Sequence, residues 1–83
     1  MNKKHAELAA EFLEKAAEEF SNHGCNDYIL KNTPENRELY EKMMKESCGE
    51  TVTVKPSHEV IYAQDWMLMS YLAKMLRREA ENG

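Results

Sequence analysis

Apolar residues recur along the chain in three stretches of helical rhythm. Leu8, Phe12, Leu13, Ala16 and Phe20 fall on one face of a helix predicted over residues 5–22. Glu7, Glu11, Glu14 and Glu18 line its opposite side, and Ala6, Ala9, Ala10 and Ala17 add strong helix propensity. Asn22-His23-Gly24 supplies the stop, with glycine where a left-handed residue ends a helix. A polar turn follows at Asn26 and Asp27, then a short apolar run, Tyr28-Ile29-Leu30, expected to pack beneath a helical bundle.

Thr33-Pro34-Glu35 opens a second helix over 34–48. Thr33 can cap it, Pro34 suits its first turn, and Glu35 and Glu38 favour its positive end. Leu39, Tyr40, Met43, Met44 and Ser47 keep the period until Gly49. Thr51-Val52-Thr53-Val54 is β-branched and alternating, so it reads as an extended connection, because a lone edge strand has no obvious partner. Pro56 closes this link and Ser57 can cap the next element. The third helix is predicted over 58–80 and is the most apolar. Ile61, Leu68, Leu72, Met75 and Leu76 form its stripe, while Trp66, Met67 and Met69 spill beyond it. The expected architecture is all-α: one single helical domain, 1–83, a three-helix bundle with an extended link between helices two and three.

Composition narrows the class. The chain has 83 residues, 42% hydrophobic and 31% charged, which suits a folded domain with a thin stability margin. No apolar run is long enough to span a bilayer. The segment from Met1 to Glu11 holds two lysines and no apolar signal-peptide core, so a cytoplasmic protein is expected. The net charge is −4, with the acidic excess in residues 1–50. Duplex nucleic acid needs a basic surface, and Lys74, Arg77 and Arg78 are the one dense basic cluster, near a helix end where cations complement the dipole. A helix-turn-helix regulator therefore ranks last, and neither nucleic acid nor membrane is expected as a partner.

The loop Ser21-Asn22-His23-Gly24-Cys25-Asn26-Asp27 is the densest polar cluster. A thiol beside an imidazole can form an activated nucleophile, but no oxyanion hole or cleft accompanies it, so no catalytic residue is assigned and no enzyme is expected. Gly24 ending the helix, with Cys25 packed as a small hydrophobe, accounts for the loop more simply. His23, Cys25, Cys48 and His58 are the residue types of a zinc site. They lack a close Cys-x-x-Cys pair. In an antiparallel bundle Gly24 and Gly49 also fall at opposite ends, roughly 20 Å apart. No metal or other cofactor is expected, and without secretion signals the two cysteines are expected to be reduced thiols. The candidate surfaces are Trp66, Met67 and Met69 on helix three and Glu7, Glu11, Glu14 and Glu18 on helix one. An acidic row is most often a solvated helix face, and methionines are most often core filler, but both also serve partner binding.

The stretches Glu18-Glu19-Phe20-Ser21-Asn22-His23-Gly24-Cys25-Asn26-Asp27, Asn32-Thr33-Pro34-Glu35-Asn36 and Gln64-Asp65-Trp66-Met67-Leu68-Met69 resemble small uncharacterised proteins encoded by bacteriophages and prophages. The resemblance implies action inside a bacterium during infection or lysogeny, and brings no catalytic residues. The function expected is non-enzymatic: binding a host or phage protein, or a second copy as a homodimer. The alternative is a small metal-binding or thiol-redox module built on His23, Cys25, Cys48 and His58.

Overall fold

The computed structural model describes residues 2–24 and 26–82. Five elements follow in order: α1 (Lys3–Asn22), β1 (Asp27–Lys31), α2 (Pro34–Cys48), β2 (Val60–Gln64) and α3 (Asp65–Asn82). They divide into two compact units. One holds α1 and α3; the other, Asn26–Gln64, holds β1, α2 and β2.

The all-α expectation is corrected by the two strands. β1 and β2 pair antiparallel, with Leu30 opposite Ile61 and Ile29 opposite Tyr62. Residues 58–64, read above as the start of the third helix, are a turn and then a strand, and α3 begins only at Asp65. Val60-Ile61-Tyr62 is β-branched and aromatic, and its burial alternates: Ile61 and Ala63 are buried, Tyr62 and Gln64 exposed. Likewise Tyr28-Ile29-Leu30 is no buried plug but the paired strand. Asp65 marks the true start of α3, its Oδ1 accepting from the Trp66 N–H at 2.7 Å.

In the first unit α1 and α3 pack side by side. Asn2 caps α1, its side chain accepting from the His5 N–H at 2.8 Å. Ser21 near the end of α1 and Trp66 at the start of α3 line one shallow groove, while Arg77 further along α3 meets Glu14 further back on α1. The two helices therefore run antiparallel. Ala6, Ala10 and Ala17 of α1, with Ala73 and Ala80 of α3, are buried. Small side chains on both helices let the axes approach closely. Leu68 and Tyr71 supply the larger buried groups of α3.

The charges of α1 run against its own dipole. Its first turn holds Lys3, Lys4 and His5 and no acid, and its last turn holds Glu19 and no base, with Glu18 just before it. Like poles set together forgo roughly 0.3–1 kcal/mol per charge.

In the second unit α2 lies against β2, and Met43 is its fully buried residue. Thr33 caps α2, accepting from the Asn36 N–H at 3.1 Å. Gly49 ends it in left-handed geometry (φ +70°), its N–H bonded to the Lys45 carbonyl. Asn32 ties the connection to the start of α2. Its Nδ2 donates to the Lys55 and His58 carbonyls at 3.0 and 2.6 Å, and its Oδ1 accepts from Arg37 Nη1 at 2.8 Å. Glu41 accepts from the Val54 N–H at 3.0 Å. Residues 51–55 are thus an extended connection held by side chains, as their pattern predicts, and not part of the sheet.

Candidate functional site

The largest apolar groups left in water are not those that sequence pattern assigned to a surface. Phe12 is 73% exposed and Leu8 54%, and Phe20 and Met75 are also exposed. Leu8, Phe12, Ala16 and Phe20 recur every four residues, a row that winds around α1 by about 40° per step. The buried positions Ala6, Ala10 and Ala17 fit a spacing of four and three instead, and so stay on the seam with α3. The two sets diverge toward the N-terminal half of the helix. There the row faces water, and Phe20, where it winds back toward the seam, is less exposed than Phe12.

The magnitude matters. An aromatic side chain offers 150–250 Å², so Phe12 alone leaves roughly 150 Å² of apolar surface uncovered. Covering it would release about 3–4 kcal/mol at 25 cal/mol per Å². Met75 of α3 adds to the apolar surface of the same unit.

The acidic row behaves differently. Glu14 is engaged: its two carboxylate oxygens accept from Arg77 Nε and Nη2, both at 2.7 Å, in a forked pair. Those hydrogen bonds hold the Glu14 carboxyl below its ordinary pKa and raise that of Arg77, to which Glu7 and Glu11 also contribute. Glu11 pairs with Lys15 at 3.1 Å. Glu7 and Glu18 are exposed. The row is therefore partly neutralised by bases of its own unit.

Trp66, Met67 and Met69 are half-buried, each with part of its surface still in water. Trp66 lines the shallow groove with Glu14, Ala17, Glu18, Ser21, Ser70 and Lys74, of about 370 Å³. Its indole Nε1 is buried without a hydrogen-bond partner, an omission that costs on the order of 1–3 kcal/mol.

Of the other candidate cluster, the structure describes His23, Cys48 and His58. His23 ends α1, with Nε2 at 3.2 Å from Glu19 Oε2. Cys48 ends α2 as an exposed free thiol. His58 stands before β2, its carbonyl held by Asn32. Cys25 lies outside the described residues. Among the described residues, no three His, Cys, Asp or Glu side chains are grouped to hold a metal ion.

The second unit has its own exposed apolar pair. Ile29 and Tyr62 stand directly opposite each other on the outer face of the two-stranded sheet. Sequence pattern missed both, because neither strand was expected.

No family model, curated protein or solved structure matches this chain. Among the described residues, no helix is long and apolar enough to cross a membrane.

Proposed function

We propose that this protein is a non-enzymatic interaction module that binds a protein partner through the apolar row of α1. The observation that carries this reading is the exposure of Phe12 and Leu8 on a helix whose seam with its neighbour is closed by alanines. Folded chains seldom leave contiguous large apolar groups in water unless something covers them. Their chemistry suits a helix or groove of matching apolar character. A bacterial cytoplasmic setting, with a host or phage protein among the partners, belongs to the same proposal.

A photo-activated cross-linking residue placed at position 12, and at exposed Glu50 as control, tests the reading in cells expressing the protein. Discrete protein adducts from position 12 that position 50 does not give are expected. Equal or absent labelling at the two positions would overturn it.

A further inference from the structure

Resting on that reading, we propose that the partner is a second copy of this chain, its α1 packed antiparallel on the first about a two-fold axis through Phe12. Phe12 stands at the middle of the 20-residue helix Lys3–Asn22. An axis at that residue therefore overlaps the whole helix with its copy. Every contact then joins positions equally far from Phe12, as a self-complementary interface demands. Phe12 meets the partner's Phe12, and Leu8 meets the partner's Ala16.

Charge selects this arrangement over a parallel one. Lys3, Lys4 and His5 crowd one end of α1; Glu18 and Glu19 stand at the other, where His23 Nε2 lies 3.2 Å from Glu19 Oε2. In the antiparallel pair each basic end lies along an acidic end. His5 falls opposite the partner's Glu19, and Lys4 opposite the partner's Phe20, where its stem covers the ring and its ammonium stays wet. The helix dipoles, which these charges oppose within one chain, are answered by the neighbouring helix. A parallel pair would set bases against bases and acids against acids at both ends. A single α1 thus carries, at its two ends, the complement of itself.

Cysteine cross-linking in a background carrying Cys25→Ser and Cys48→Ser reads the register directly. At the axis, Phe12→Cys brings two thiols together; loss of the ring weakens the unlinked pair, but each disulfide traps an encounter, so linked dimers are expected to accumulate under mild oxidation. The two copies of position 8 lie roughly 12 Å apart along the helix at about 1.5 Å per residue, beyond disulfide reach of about 7 Å. Leu8→Cys alone is therefore expected to stay reduced, whereas mixed with Ala16→Cys it links. Without oxidant, the unmodified chain is expected to sediment at twice its 9.7 kDa mass. Phe12→Gln, with helical circular dichroism retained, is expected to sediment as one chain.

Linking of Leu8→Cys as readily as Phe12→Cys, or a monomeric unmodified chain, overturns the self-pairing. A monomer whose position-12 cross-linker still captures one distinct protein overturns only the choice of partner. A monomer without adducts removes the interaction reading as well.

Discussion

In the α1–α3 unit the buried seam is made largely of alanine, and two phenylalanines stand in water; in the strand–helix–strand unit a methionine is enclosed and side-chain amides fasten the connection. Alanine burial removes little apolar area per residue, so the first unit gains from close approach of two helices rather than from large side chains. On α1 the bulky residues Leu8 and Phe12 lie along a second direction, turned outward, while α3 encloses Leu68 and Tyr71. The second unit puts Met43, Ile61 and Ala63 inside and holds its eleven-residue connection, 49–59, through Asn32, Arg37 and Glu41. The first region leaves Phe12 and Leu8 outside its seam, and the second encloses Met43 while leaving Ile29 and Tyr62 in water on the outer face of its sheet.

Substitutions can break that contrast. The largest effect is expected from Met43→Ala, which empties a fully enclosed site and should lower unfolding free energy by about 2–5 kcal/mol, measured by urea titration. Ala10→Leu is expected to act in the opposite sense sterically. It forces bulk into the seam and costs about 1–3 kcal/mol, whereas the same added bulk at exposed Ser47 should change stability by less than about 0.5 kcal/mol. Asn32→Ala removes three side-chain hydrogen bonds and is expected to cost about 1–2 kcal/mol. Hydrogen exchange should quicken in residues 51–59 while α1 and α3 keep their protection.

The smallest effect concerns Glu14. Its pKa is held below the ordinary 4.5 by Arg77, so its pairing contributes fully above that value. The contribution is lost as the pH falls through the lowered folded value. Glu14→Gln should flatten the acid limb of the stability curve over that interval and leave neutral pH nearly unchanged, because the pair is well exposed. Thermal melts from neutral to acid pH check this.

Local chemistry in the sequence located some elements well and others not at all. α2 was legible to the residue: Thr33 and Pro34 start it and Gly49 stops it, because caps act within one turn. Gly24, with φ +101°, likewise follows the end of α1. The strands were hidden because Tyr28-Ile29-Leu30 and Val60-Ile61-Tyr62 each look ambiguous alone, and their pairing spans the whole of α2. Ile61 also fits the helical stripe of Leu68, Leu72 and Leu76, which drew the third helix seven residues too far toward the N-terminus.

The candidate surface was half legible. Periodicity identified the wide apolar arc of α1 correctly but could not tell which part meets α3. Hydrophobicity favours Phe12 and Leu8 for the interior, yet shape favours alanine where helices run close. The acidic row was visible in sequence, but Arg77 as the partner of Glu14 was not, since their contact depends on how two distant helices align.

The decisive measurement is a paired reading of folding and association for Phe12→Gln, by urea unfolding and sedimentation at matched concentrations low enough for the unmodified chain to be a single species. If Phe12 serves contact and not folding, unfolding free energy at that dilution stays within about 0.5 kcal/mol of the unmodified chain, while association on raising concentration is lost. A loss of about 3–5 kcal/mol at the same dilution would show Phe12 inside the folded core and contradict the account.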